Sequence, residues 1–259
     1  MKNVVLVFLV FFVSIGVSFG QSLKGMSLNG VTGLIAIPSG RIGWEQSAEV
    51  GVDLGYHALV TDNQTSHLPK LSVSLFRRVE VAVAYDIQET ENDESDILIN
   101  GKIQLPTNGT AVALGGNFQS IDFGADNSGS VSQLYLAATY PGEFFSMPAE
   151  TSIVVGKSFG DYVGDSDIDF GMGFDLLLFP ETFQGYIHWI NDFSNFSYSV
   201  DPIGALANTR GVFNSGIRID LASNPNLSRY KFVIDATLTD ALDQNRAFAL
   251  GFAFGAPIR

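Results

Sequence analysis

Gln46-Ser-Ala-Glu-Val-Gly-Val-Asp-Leu-Gly-Tyr-His-Ala-Leu-Val60 carries an apolar side chain at every even position from Ala48 to Val60. Glu49, Gly51, Asp53, Gly55 and His57 stand between them. Successive side chains leave a β-strand on opposite sides, so a repeat of two marks a strand with one greasy face and one wet face. The pattern recurs along the chain. Val79, Val81, Val83, Tyr85 and Ile87 alternate with Glu80, Ala82, Ala84 and Asp86. Ile168, Phe170, Met172, Phe174 and Leu176 alternate with Asp169, Gly171, Gly173 and Asp175. Phe248, Leu250, Phe252 and Phe254 alternate with Ala249, Gly251 and Ala253. About twelve such segments lie near 46–60, 69–77, 78–88, 96–105, 110–120, 131–140, 151–159, 168–179, 183–191, 208–221, 229–239 and 246–255. In 151–159 and 183–191 both faces are mixed, and no helical period of useful length occurs.

The wet face decides where the greasy face goes. It is rich in Gly, Ala, Ser and Thr with scattered charges of both signs, and only 16% of the chain is charged. A soluble sandwich turns its polar faces to bulk water and buries the greasy ones between two sheets. A membrane barrel does the reverse, with lipid outside and small or charged side chains within. Segments of about ten residues are the length that crosses a bilayer as a tilted strand. The reading is an all-β fold, an antiparallel up-and-down transmembrane β-barrel of about twelve strands, within a range of about ten to fourteen. The formal net charge of −13 disfavours holding a nucleic-acid backbone by counterion release. The absence of Cys excludes disulfides, thiolate chemistry and a lipoprotein anchor.

The connections alternate in character. Those after the odd-numbered segments carry fifteen Asp and Glu and no Lys or Arg: Asp62, then Glu89 to Asp96, then Asp122 and Asp126, then Asp161 to Asp167, then Asp192 and Asp201, then Asp240 and Asp243. The other rim has the tight Arg77-Arg78, Pro106 to Gly109 and Pro180 to Thr182, with a long connection from Pro141 to Glu150 as the exception. The acidic rim reads as extracellular, with both termini in the periplasm. Solvated loops explain its acids; divalent-cation binding around Glu89–Asp96 is the sharper alternative, although that stretch lacks the spacing of a calcium loop.

Lys2, the apolar run Val4 to Val13 and the small residues Ser14, Gly16, Ser18 and Gly20 read as a secretory signal peptide cleaved after Gly20. A membrane-anchoring helix is the alternative, for which Val4 to Phe19 is short. The domain reading is thus 1–20 signal peptide, 21–45 N-terminal segment and 46–259 barrel. The N-terminal segment is greasy from Thr32 to Ile37. It has two places to go: into the lumen or across the periplasmic mouth as a plug, or onto the sheet as an added edge strand.

The signs of chemistry are thin. Of the three histidines, His57 ends the first strand, His67 lies in a loop and His188 sits beside Trp189; none has a Ser two residues away on its face. No catalytic, cofactor-binding or metal site is expected, and the protein reads as non-enzymatic. Charges expected to line the lumen are Glu49, Asp53, Glu80, Asp86, Lys102, Asp175, Arg218, Asp220, Lys231 and Asp235. They have two readings: internal pairing that holds a packed barrel, or a cation-preferring passage lined by excess carboxylate. Tyr56, Tyr85, Tyr140, Phe159, Trp189 and Tyr230 fit an aromatic girdle at the lipid headgroups.

The stretch Leu28-Asn-Gly-Val-Thr-Gly-Leu-Ile-Ala-Ile-Pro-Ser-Gly-Arg41 resembles the opening signature of YjbH-type outer-membrane proteins: a Gly, Thr-Gly-Leu-Ile, then a Pro followed by small residues. Asn100 to Gly115 and Gln133 to Lys157 hold looser similarities. The resemblance implies a signal-bearing outer-membrane barrel associated with exopolysaccharide production or export, without the additional domains of longer members. The ending Ala256-Pro-Ile-Arg259 departs from the terminal aromatic of bacterial barrels, with Phe254 close by. The functional expectation is an envelope or transport component of the bacterial outer membrane. Its expected partners are outer-membrane lipid, the barrel-assembly machinery, and polysaccharide or small solutes, with no nucleic acid. A secreted soluble all-β adhesin or carbohydrate-binding module is the alternative.

Overall fold

The computed structural model describes residues 25–89, 94–122, 128–161, 168–207, 211–244 and 246–258. The signal-peptide reading of 1–20 lies outside the described residues, as do Glu91, Asp93, Asp126, Asp165 and Asp167. Twelve strands run in chain order: β1 (Val50–Val60), β2 (Thr65–Leu75), β3 (Val79–Glu89), β4 (Ser95–Leu105), β5 (Ala111–Asp122), β6 (Ser128–Phe144), β7 (Met147–Gly160), β8 (Asp169–Leu177), β9 (Ile187–Ser194), β10 (Val212–Asp220), β11 (Lys231–Thr239) and β12 (Ala247–Ile258). Each pairs antiparallel with its sequence neighbours, and β12 returns to β1 from Val50↔Ile258 to Val60↔Phe248, closing one barrel. The fold is a single closed sheet rather than two stacked ones.

The alternation sets which side faces out. In β1, Gly51, Asp53, Gly55, His57 and Leu59 are buried, while Leu54 and Val60 on the other parity are exposed. Across the barrel the exposed large side chains are apolar and stand on the outward parity, among them Val81, Ile99, Leu114, Leu134 and Phe252. A band of this size is far beyond what a water-soluble surface carries. Most strands have nine to twelve residues, which at roughly 3.3 Å per residue and a tilt of about 45° spans roughly 25 Å, the thickness of a bilayer core.

Inward glycines make room for larger neighbours. Gly255 pairs with Asp53 on one side and Lys231 on the other, and a Cβ there would lie 1.9 Å from Asp53 Oδ1. The Asp53–Lys231 ion pair therefore crosses over an intervening strand that has no side chain in the way. Gly115 accommodates the ring of Tyr135 in the same manner.

Three features differ from the sequence reading. The long connection at Pro141–Glu150 does not exist: β6 and β7 stay paired from Tyr140↔Thr151 to Phe144↔Met147. Only Phe145 and Ser146 remain as a turn, with φ of 50° and 63°, the two left-handed positions of the tight hairpin that suits strand twist. Alternation fails there because Pro141 and Gly142 interrupt it, while the backbone ladder continues. Second, β2 begins at Thr65, four residues before its apolar pattern. Its ladder to β3 is interrupted between His67↔Ile87 and Lys70↔Ala84, at Pro69, which has no N–H to give. Third, Asp96 and Asp192 belong to strands and not to the acidic loops, because β4 and β9 extend past the residues where their greasy face becomes irregular. The rim carrying the β1–β2 loop remains acidic through Asp62, Glu89, Glu94, Asp122, Asp161, Asp201 and Asp243.

The outward face yields a first prediction. Leu54 lies mid-strand on β1 with 55% of its surface exposed. Leu54→Arg is expected to cost about 2–4 kcal/mol in a bilayer, read as a lower denaturant midpoint for unfolding from lipid vesicles, whereas Leu54→Ile stays near wild type.

Candidate functional site

Residues 25–44 lie inside the barrel, and nearly all of them are buried. The closed sheet leaves no edge on which this segment could add as a strand. It folds on itself first: Leu28 N–H donates to Ile35 O (2.8 Å), Leu34 N–H to Ile37 O (3.0 Å), and Ser39 N–H to Thr32 O (3.1 Å). Short bridges join Met26 with Thr32 and Gly33 with Pro38. The remaining backbone groups need partners away from water, and the charged wall supplies them.

Thr32 is held from both sides. Glu80 Oε1 accepts from Thr32 N–H (2.8 Å), Thr32 Oγ1 (2.8 Å) and Ser72 Oγ (3.0 Å). Lys102 Nζ donates to Thr32 O (2.6 Å) and Ser39 O (3.0 Å), and stands 3.3 Å from Glu80 Oε2. Glu80 and Lys102 are direct cross-strand neighbours, which fixes the clamp. At the far side of the segment, Asp192 Oδ2 accepts the backbone N–H groups of Ile35 (2.9 Å), Ala36 (2.7 Å) and Ile37 (3.2 Å), while Asn214 donates to its Oδ1 (2.7 Å). Three convergent amides around one carboxylate form a nest, an arrangement suited to full negative charge.

Arg218 forms a two-pronged pair with Asp235, Nε to Oδ1 at 2.8 Å and Nη2 to Oδ2 at 3.0 Å. Its guanidinium also donates to Gly33 O (3.1 Å) and Leu34 O (3.3 Å). It lies flat over Gly25, where a Cβ would fall 1.8 Å from Cζ. Lys70 Nζ donates to Ser27 O (2.8 Å). Where the segment leaves the lumen, Trp44 Nε1 donates to Asp53 Oδ1 (2.9 Å), and Lys231 Nζ sits 4.7 Å from the centre of the Trp44 ring while pairing with Asp53 (2.9 Å). Arg41 bridges Glu150 (2.8 Å) and Glu45 (3.1 Å). Replacing both members of a buried pair with apolar groups is often tolerated, whereas removing one leaves an uncompensated charge at a cost of about 3–5 kcal/mol.

The connection between β9 and β10 enters the lumen from the opposite side. Tyr198, Ile203, Ala205 and Ala207 pack into one apolar cluster with Leu28, Ile35 and Ala36 of the inner segment and with wall residues such as Leu59, Leu98 and Ala249. Tyr198 Oη donates to Asp86 (3.0 Å), a carboxylate also bonded by Ser66. Ser199 and Gln119 both donate to Asp96 Oδ2 (2.7 Å each), and Gln88 donates to Asp201 O (2.8 Å). The lumen is thus occupied from two directions, and the two inserts meet in its middle.

Of the residues expected inside, Asp53, Glu80, Asp86, Lys102, Asp175, Arg218, Asp220, Lys231 and Asp235 are buried on the inward face. Asp220 accepts from Ala222 N–H (2.9 Å) at the start of the short 3-10 turn after β10, and Asp175 pairs with His188 Nδ1 at 2.6 Å. Glu49 is corrected: it has the inward parity but stands one residue before β1, exposed at the rim, so it lines no part of the lumen. His57 faces inward, 3.5 Å from Asp235, and His67 contacts Tyr56 Oη at 2.6 Å. Sequence reasoning missed Lys70, Asp96, Glu150 and Asp192. Inward parity with Ser72 marks Lys70, and parity with Ser152 marks Glu150. Asp192 shares parity with His188 and Ile190, a signal hidden by the mixed faces of β9.

No family model matches the chain, and no curated protein matches it. Among solved structures, the chain is similar to the KdgM porin, with 5% identity, 80% of this chain and 99% of that one covered, and a TM-score of 0.51. It is also similar to the NanC porin, with 9% identity, 81% and 100% coverage, and a TM-score of 0.51. Similarity at these identities shows the fold.

Asp192→Ala removes the acceptor shared by three buried amides. Each buried polar group left without its partner costs roughly 1–3 kcal/mol. Hydrogen exchange at Ile35, Ala36 and Ile37 is expected to speed up by at least about tenfold, with protection of the β1–β12 ladder unchanged; uniform loss of protection would mean the nest supports the whole barrel.

Proposed function

We propose that the chain is a non-enzymatic outer-membrane barrel of a diderm bacterium, a transport component whose pore is held shut by its own N-terminal segment. The observation that carries this reading is the pairing of an apolar outer band with a polar, charged lumen that residues 25–44 fill. Lipid accounts for the outside, and a water-compatible interior is what a passage requires. The two neighbours of similar fold are porins, which supports a transport role. Export through a cleaved signal peptide at 1–20 and insertion by barrel-assembly machinery complete the reading. A soluble adhesin has no use for the outer band.

The inner segment has the properties of a removable stopper and not of a permanent core. It is bound by hydrogen bonds and ion pairs, which water can replace, and by apolar contacts of Leu28, Leu34, Ile35 and Ile37 with wall residues such as Leu59, Leu98, Tyr135 and Val154. The proposed tie to exopolysaccharide export rests on the resemblance of Leu28–Arg41, and those same residues occupy the lumen. A polymer passing through would have to displace them.

Planar-bilayer recording tests the reading. The intact chain is expected to stay closed for most of the record, and deletion of residues 22–43, which also strips Tyr198 and Ile203 of their contacts with Leu28, Ile35 and Ala36, to give an open pore, with heat-modifiable gel mobility establishing that the deleted form is a folded barrel. Equal conductance with and without the segment would overturn the stopper. For the polymer, cells lacking the chain are expected to release less polysaccharide, restored by the intact chain.

A further inference from the structure

The lumen's charges divide into two groups. Among the described residues, three of the four buried wall cations are matched across the sheet: Lys102 with Glu80, Lys231 with Asp53, and Arg218 with Asp235. The fourth, Lys70, donates to the backbone of the inner segment. Against these, Asp86, Asp96, Glu150, Asp169, Asp175 and Asp192 are buried on the inward face, and no wall Lys or Arg pairs with them among the described residues.

What compensates these carboxylates is informative. Asp169 and Asp175 are served by the wall itself, through Gln133, Ser158 and His188. The other four take partners from the two inserts, beside the wall donors Asn214 to Asp192, Ser66 to Asp86 and Gln119 to Asp96. Asp192 accepts the amides of 35–37, Glu150 pairs with Arg41, Asp86 accepts from Tyr198, and Asp96 accepts from Ser199. Glu150 Oε2 is buried with no hydrogen-bond partner among the described residues. When the inner segment leaves, the wall loses donors and one arginine, and it loses no carboxylate.

We propose that the opened lumen selects cations, with Glu150 and Asp192 as the residues that set the selectivity. This deepens the stopper reading and rests on it. Water entering the emptied barrel solvates both carboxylates, and among the described residues no wall Lys or Arg forms an ion pair with either. Their negative potential raises the local concentration of cations and disfavours anions. The solute class is therefore cationic or neutral, and acidic oligosaccharides are disfavoured. Screening shortens the reach of this field from about 10 Å at 0.1 M salt to about 3 Å at 1 M, so the preference weakens as salt rises.

The experiment is the reversal potential of the 22–43 deletion in a potassium chloride gradient. The expected result is several-fold preference for potassium over chloride, stronger at low salt, brought toward unity by Asp192→Asn with Glu150→Gln in the same background. A chloride preference, or a potassium preference that the double substitution leaves unmoved, overturns the proposal. A second form guards against misfolding of the deletion: a protease site inserted between the exposed Gln46 and Ser47 lets the barrel fold with its segment in place, before cleavage and a wash in dilute denaturant. A barrel that releases the segment and still carries no current overturns the stopper reading, and the selectivity with it. Current of the wrong sign overturns the selectivity alone.

Discussion

A strand in hydrocarbon has no water to take its backbone hydrogen bonds, so every N–H and C=O must be paired within the sheet. The pairing of β12 with β1 is how this chain meets that demand, and it is the condition for everything else. Closure removes both sheet edges and forces one parity of every strand outward into lipid. The other parity is left to line a space with no hydrophobic drive to collapse. Small and charged side chains on that parity then become the materials from which an interior can be made.

A charged interior in a sealed barrel would be costly if left dry and unpaired. Two solutions are combined here. Within the wall, glycines such as Gly255 let charges on next-but-one strands meet. Beyond the wall, residues 25–44 present bare carbonyls and amides to the remaining charges. The pairing is complementary in kind: Lys70, Lys102 and Arg218 take carbonyls, while Glu80 and Asp192 take N–H groups. A segment with few charged side chains of its own can sit in a highly charged lumen because its backbone supplies both kinds of partner.

The barrel was legible in the sequence because a period of two is a local property. Alternation in β1, β3, β8 and β12 reports which side chains share a face without knowledge of what lies opposite. It became unreliable where backbone pairing outlasts the hydrophobic pattern, as at Pro141–Glu150, or where both faces carry apolar residues, as in β9 with Trp189 and Phe193 outward and Ile190 inward, and those places concealed the tight turn and Asp192. Inward charges could be picked out by parity, which found Glu80, Lys102, Arg218 and Asp235. Their partners could not, since the backbone of Thr32 or Ile35 has the same chemistry in every sequence, and a loop such as 195–207 gives no local sign of whether it points into solvent or back into the lumen.

Only the short turn Glu45 to Glu49 separates the segment in the lumen from β1. A linker this short keeps a displaced piece at an effective concentration on the order of millimolar or higher. In the proposed opening, release and return would both be first-order events within one molecule, indifferent to how many copies the membrane holds. Re-entry would need no diffusing partner and no new synthesis, so under the proposed opening each barrel would carry a leashed stopper that resets itself.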